Sequence, residues 1–147
     1  MDHKIWTIYG NFSLKLPLDW VEYDDGEENT FAFFNTKYWT GNLRITPFVW
    51  PTADDGEPGK ATTFIQDELM ENEGAVRLKI GDFDCAHYKK DIEQDGDELI
   101  IYYWAAGKGN DLFMCSLTID KEQEQDHQHR DTQQLVQDTI ASIKKLI

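Results

Sequence analysis

Three groups of side chains have the types, and nearly the spacing, that chemistry requires. The stretch DIEQDGDE (91–98) sets Asp91, Glu93, Asp95 and Gly96 in the order that opens a calcium loop. Such a loop takes oxygen ligands at positions one, three and five, glycine at six and a bidentate glutamate at twelve. Counted from Asp91, the twelfth position is Tyr102, and the eighth, normally apolar, is Glu98. The flanks alternate as strands do. The stretch therefore reads as a hairpin turn in which Asp95–Gly96 supplies the backbone geometry.

Cys85 and His87 form the second group. Two apart on a strand, they share a face about 6.6 Å apart along the chain. With Cys115 on another strand they would make a zinc corner or a thiol–imidazole pair. A structural zinc site needs four ligands, and no fourth is evident. A catalytic pair needs an orienting third group and an oxyanion site, and neither is legible. The expectation is packed thiols beside a histidine. A small metal- or thiol-dependent enzyme centred on Cys85, His87 and Cys115 is the alternative.

The third group is DHQHRD (126–131). On a helix His127 and His129 lie about 160° apart, so they cannot share an ion there. The segment reads as a solvated, polar helix start. The acidic clusters DDGEE (24–28), DDGE (54–57) and DELMENE (67–73) lack a paired base and read as solvated faces. Glycine-rich phosphate loops and G-x-S-x-G elbows are absent. No catalytic residue, metal ligand or cofactor is assigned.

The aromatics point elsewhere. Tyr38 and Trp39 sit in the KYWTGN stretch, and Trp50 closes a strand just before Pro51. Tyrosine and tryptophan at loop tips bring large contact area at low entropic cost. These three are the candidate binding residues; their other role is to cap the ends of the core.

The elements that must position these residues follow from periodicity. FSLKLPLDW alternates Phe12, Leu14 and Leu16 against Ser13 and Lys15, a half-buried strand stopped at Pro17. VEYDDGEENT is turn-rich. FAFFNT (31–36) and LRITPFVW (43–50) read as strands joined by a short loop in which Gly41 takes a positive φ. Residues 50–60 form a loop. A helix follows, with a capping box at Thr63 and Gln66, Gly74 past its last turn, and Ala61, Phe64, Ile65 and Leu69 on one side. AVRLKI and FDCAHYKKDI are strands. ELIIYYWAAG is apolar on both alternation sets, which predicts a strand covered on both faces. DLFMCSLTI is another strand. From Leu135 onward, Val136, Thr139, Ile140, Ile143, Leu146 and Ile147 fall on one apolar arc, which predicts a helix to the end of the chain. The expectation is an α+β fold: an antiparallel sheet of about six to seven strands flanked by two helices, an α/β/α sandwich.

One hundred and forty-seven residues make one domain, 1–147. Against 28 acidic residues stand 14 basic ones, a net charge of -14. That charge repels phosphate backbones, which argues against nucleic acid, and favours a basic partner. MDHKIWTIYG has neither a basic n-region nor an apolar h-region, and no apolar run spans a bilayer. The expectation is a cytoplasmic protein away from membranes, with Cys85 and Cys115 reduced.

The opening FSLKLPLDW, with Leu16, Pro17 and Trp20, and the ending DTIASIKKLI together resemble the PsbP-like superfamily. That fold includes an extrinsic photosystem subunit, a nuclear-import factor that binds a small GTPase, and bacterial DcrB-type domains. FAFFNTKYWTGNLRIT is similar to a group of uncharacterised small domains from Bacteroides-type bacteria. The resemblance implies an antiparallel sheet between helices, usually without catalysis, that acts by holding another protein; some bacterial relatives are chaperones for secreted toxins. The functional expectation is a non-enzymatic binding module, an adaptor, chaperone or immunity-type protein. Its partner is a basic or partly apolar protein, such as a secreted toxin. The acidic surface steers the encounter, and Tyr38, Trp39 and Trp50 anchor it. A structural homodimer through an exposed sheet edge is a further alternative.

Overall fold

The alternating apolar segments pair as antiparallel ladders. The computed structural model describes residues 2–37, 39–51 and 59–146. Among the described residues, seven strands form one sheet: β3 (Trp20–Tyr23), β4 (Phe31–Asn35), β5 (Asn42–Val49), β6 (Val76–Ile80), β7 (Phe83–Gln94), β8 (Asp97–Lys108) and β9 (Asp111–Asp120). Their spatial order is β3–β4–β5–β9–β8–β7–β6. A three-stranded sheet joins β1 (His3–Ile8), β2 (Phe12–Pro17) and β10 (Lys144–Lys145) in the order β1–β2–β10. The helices are α1 (Lys60–Glu71) and α2 (His127–Ala141), and a 3₁₀ turn at Lys121–Gln123 leads into α2.

Registry assigns the two faces of the large sheet. Leu43 opposes Leu117, Ile45 opposes Cys115, and Cys115 opposes Trp104. These residues join Leu14 and Leu16 of β2 and Val136 and Ile140 of α2 in one buried core. The other face of β7, β8 and β9 offers Ala86, Ala105 and Leu112 to Ala61 and Ile65 of α1. The fold is α+β, with the large sheet between α1 on one side and α2 with the small sheet on the other. β8 is covered on both faces, as its double alternation predicts.

DIEQDGDE is the β7–β8 hairpin. Gln94 pairs with Asp97, and Asp95 and Gly96 take φ of 54° and 85°. Positive φ at both central residues is what a tight hairpin of this twist demands. Gly41 takes φ 122° in the β4–β5 connection, where a Cβ would meet Leu117 at 2.8 Å. The 50–60 loop lies largely outside the described residues.

Three expectations of the local reading are overturned. The acidic stretch after Pro17 begins with a strand, β3, because Val21 and Tyr23 find partners in Phe34 and Ala32. Helix α1 starts at Lys60, three residues before the Thr63 capping box. Its first donors are satisfied from the β8–β9 turn instead: Lys60 N–H donates to Asn110 Oδ1 at 2.8 Å, and Ala61 N–H to the Gly109 carbonyl at 3.1 Å. Helix α2 ends at Ala141 rather than running to the end of the chain, and Lys144–Lys145 cross over to pair with β2. Ser142 Oγ makes the stop, donating to the Thr139 carbonyl at 2.6 Å and accepting the Lys15 N–H at 2.9 Å. Ile143 still reaches the core, which is why the helical period persisted, but Leu146 is 44% exposed. Ile147 lies outside the described residues.

The β8–β9 turn also accepts the Trp50 N–H, at the Asn110 carbonyl, at 2.9 Å. It thus holds both the end of β5 and the start of α1. A Cβ on Gly59 would stand 2.1 Å from the Gly109 carbonyl oxygen. Gly59→Ala is expected to cost about 1–3 kcal/mol through this overlap, and Asn110→Ala about 1 kcal/mol through the lost cap. Urea unfolding checks both; an unchanged midpoint for Gly59→Ala contradicts the close approach.

Candidate functional site

The end of the large sheet at the β7–β8 turn concentrates negative charge. The last pair between β8 and β9 is Leu99 with Asp120, so residues 93–98 extend beyond the sheet as a two-stranded ribbon. Glu93 stands directly opposite Glu98 on that ribbon. Like charges directly opposed across strands destabilise a hairpin. Glu93, Asp97 and Glu98 form one wall of a cleft of about 770 Å³, and Asp120, Lys121 and Glu122 form the other.

Trp39 stands beside this cleft. Its indole Nε1–H donates to Asn42 Oδ1 at 2.7 Å, and its carbonyl accepts from Gln123 Nε2 at 3.1 Å. Gln123 Oε1 also accepts the Asp120 N–H at 3.1 Å. The β4–β5 connection is thereby tied to the segment that builds one wall, and Trp39 stays 36% exposed. Tyr38 lies outside the described residues. Trp50 stands at the far end of β5, roughly eight strand residues or about 27 Å away. There it packs half-buried against the α1 cluster and stacks on Phe48 at 6.2 Å. Trp39 and Trp50 therefore belong to separate surfaces.

Cys85, His87 and Cys115 share the inner face of the sheet. Both thiols are free and fully buried. Burial, helped by the Asp84 carboxylate, pushes the Cys85 thiol up to about 12, and burial raises Cys115 further. His87 stacks on the Trp104 indole at 4.6 Å, and its Nδ1 meets the Tyr103 carbonyl at 2.8 Å. That carbonyl accepts, so Nδ1 carries the proton of a neutral ring. Burial lowers its proton affinity, only partly opposed by the Tyr103 carbonyl. In registry Trp104 stands between His87 and Cys115, and Cys85 faces Ala106. At neutral pH the three groups are two protonated thiols and a neutral imidazole set around an indole. Among the described residues, no three His, Cys, Asp or Glu side chains gather in an arrangement able to hold a metal ion.

His129 corrects the solvated reading of DHQHRD. His127 is exposed and pairs with Asp131 at 3.1 Å, but His129 is 1% exposed. The Gln133 amide approaches its Nε2 at 2.9 Å, and Tyr102 lies 5.0 Å from its ring. Burial lowers its proton affinity, against the pull of Glu124 and Asp126. The signal was present: His129, Thr132, Val136, Thr139 and Ile140 recur at helical spacing, extending the apolar arc one turn and more upstream of Leu135. Beyond it, Glu124 bonds Lys89 at 2.6 Å, which holds its carboxyl below the usual range.

Comparison with known proteins places these features among relatives. The family model described as "Domain of unknown function (DUF3805)" matches residues 2–143. A crystal structure from Bacteroides thetaiotaomicron shares 32% identity at a TM-score of 0.78, covering 99% of this chain and 49% of that one. The chain thus spans about half the length of that protein. LpqN, involved in cell envelope biogenesis of Mycobacterium tuberculosis, matches at 9% identity and a TM-score of 0.56, covering 99% of this chain and 91% of its own, a likeness of fold alone. The cyanobacterial PsbP (CyanoP) of Synechocystis matches at 12% identity and a TM-score of 0.44, with 97% and 92% covered. No curated protein matches. No helix among the described residues is long and apolar enough to cross a membrane.

Two outcomes follow from the buried groups. In the native protein neither thiol should react with a disulfide reagent, and both should react in denaturant; a fast native thiol contradicts the burial. His87 and His129 have folded pKa values below the unfolded value of about 6.5, so at lower pH the unfolded chain binds more protons. Their stabilisation is present above that value and is lost as pH falls through it. The urea midpoint should drop between pH 7.5 and 5.5, and less steeply for His129→Leu; a flat midpoint contradicts this.

Proposed function

We propose that this chain, which belongs to the family described as a domain of unknown function (DUF3805), is a non-enzymatic binding module that engages a basic protein segment at the acidic end of its sheet. The observation that carries the reading is the Glu93–Glu98 pair on the projecting ribbon, with Trp39 held beside the cleft it lines. Two carboxylates directly opposite each other cost stability in the free protein. A lysine or arginine placed between them offsets that cost on binding. The net charge of -14 steers a cationic partner towards this end. Trp39 then contributes apolar area at the edge of the charged cleft, where interface tryptophans carry much of the binding energy.

The adaptor, chaperone and immunity-type roles share this requirement for a cationic segment with an apolar residue beside it. The partner class is therefore set by charge and by one anchoring side chain. The neutral imidazole and high-pKa thiols of the interior support a non-catalytic reading, because a thiol nucleophile needs its thiolate near neutral pH.

Lysine-rich peptides carrying one leucine or phenylalanine should bind at low salt and dissociate as salt is raised. Glu93→Gln with Glu98→Gln should slow association roughly tenfold, and Trp39→Ala should weaken affinity tenfold or so by speeding dissociation. Stopped-flow fluorescence separates the two rates. Failure of every basic peptide to bind, or equal rates for the variants, contradicts the reading.

A further inference from the structure

The small sheet ends on an open strand. β1 stands at one edge of the order β1–β2–β10, with no strand beyond it among the described residues. Its registry with β2 shows which of its backbone groups are free. Lys15 N–H donates to Ser142 Oγ at 2.9 Å, and the Asn11 carbonyl accepts the Leu146 N–H at 2.6 Å. Ser13 pairs with Lys144 of β10. The odd-numbered residues of β2 therefore direct their N–H and C=O groups away from β1. In an antiparallel ladder, directly opposed residues either bond to each other or both point their groups away. Ile5 opposes Lys15, Thr7 opposes Ser13 and His3 opposes Pro17. His3, Ile5 and Thr7 thus present their N–H and C=O groups along the open edge.

Open edges are normally blunted by shortness, charge or proline. β10 has two residues and β3 has four. β6 carries Arg77 and Lys79, and pairing β6 with a copy of itself in full register would set these cations directly opposite each other. β1 has six residues and no proline, and its central Ile5 is 63% exposed. β1 and β2 hold no acidic residue, in a chain that has 28. Two copies, each of net charge -14, can meet along this edge without opposing carboxylates on the pairing strands.

β1 is also complementary to itself. A two-fold axis perpendicular to the sheet at Ile5 pairs Ile5 with Ile5, His3 with Thr7 and Lys4 with Trp6 of the second copy. Each pair made by His3, Ile5 and Thr7 then exchanges both of its hydrogen bonds, and moving the axis to Lys4 or to Trp6 loses one such pair. The Lys4 ammonium lies over its own Trp6 ring at 4.1 Å, and in this register it also faces Trp6 of the second copy, a favourable cation–aromatic contact. We propose that two copies of this chain pair through β1, antiparallel about Ile5, and continue the small sheet across the axis. The contact is small, so the dimer is weak. Its salt dependence is opposite to that of the basic-segment site, because screening the repulsion between two acidic chains strengthens pairing.

Sedimentation equilibrium of the whole chain from about 10 to about 500 µM, at low and at high salt, tests this together with amide NMR over the same range. The mass should rise from 17.1 kDa towards twice that value, with a Kd of about 100 µM that tightens as salt is raised. Higher concentration should slow hydrogen exchange at the amides of His3, Ile5 and Thr7 and leave Lys4 and Trp6, already bonded to β2, unchanged. Ile5→Lys opposes two lysines across the axis, and Thr7→Pro removes an outward N–H and no bond to β2. Both should keep the dispersed native spectrum and weaken dimerisation at least tenfold. Val76→Lys, on the open edge of β6, should leave it unchanged. A chain that stays monomeric throughout, leaving the edge to solvent or to another protein's strand, overturns the proposal. So does a mass beyond the dimer, pairing that weakens with salt, undiminished pairing by Ile5→Lys, or its loss in Val76→Lys.

Discussion

Trp104 sits fully buried at the middle of β8, with His87 stacked on it from β7 and Cys115 opposite it on β9. One residue on, Ala105 turns to the other face and lies under α1. The rest of the structure depends on this two-sided burial of one strand. The indole needs a deep layer above it, and the small sheet with α2 supplies that layer. The alanine and the neighbouring Gly107 need a close helix; a Cβ on Gly107 would stand 2.6 Å from Ala61 Cβ. Large residues on one side and small ones on the other thus set two different packing distances around the same strand.

The same constraint decides where function can reside. The side chains best suited to reaction, two cysteines and two histidines, fill space in the inner layer. Low dielectric keeps the thiols protonated and the rings neutral. Trp104 Nε1 and His129 Nδ1 have no hydrogen-bond partner among the described residues, a cost the apolar packing around them outweighs. Two of the clefts lie at the two ends of the large sheet. One end carries the Glu93–Glu98 ribbon with Trp39, the other a cleft bordered by Lys108, Lys144 and Lys145 together with Asp82 and Asp111. Long strands hold the two surfaces apart.

Most of the layered fold was legible in the sequence because its strands alternate cleanly. The Asp95–Gly96 turn, the helical face of Ala61, Phe64, Ile65 and Leu69, and the double burial of β8 all follow from local pattern. What failed depended on partners distant in sequence. The cap of α1 comes from Gly109 and Asn110, about fifty residues further along, so the local Thr63–Gln66 box was a decoy. The end of α2 is set by the open edge of β2. β3 is short and runs into an acidic turn, and only its neighbour β4 makes it a strand. The candidate sites were legible in part. Composition predicted an acidic surface and exposed aromatics, but the placing of Trp39 and Trp50 on opposite ends required the length of β5, and the lysine-rimmed cleft joins residues from Phe12 to Lys145 that no local motif connects.

The central claim is that the interior histidines and thiols are packing groups around Trp104 and do not form a reacting centre. Nitrogen NMR of the imidazole rings across pH 5–8 tests it most directly. The account predicts that both His87 and His129 take up a proton only below the ordinary imidazole range, with neutral His87 holding its proton on Nδ1. Either ring titrating near 6.5 in the native state, or a His87 imidazolium appearing together with a thiolate at Cys85, would contradict it.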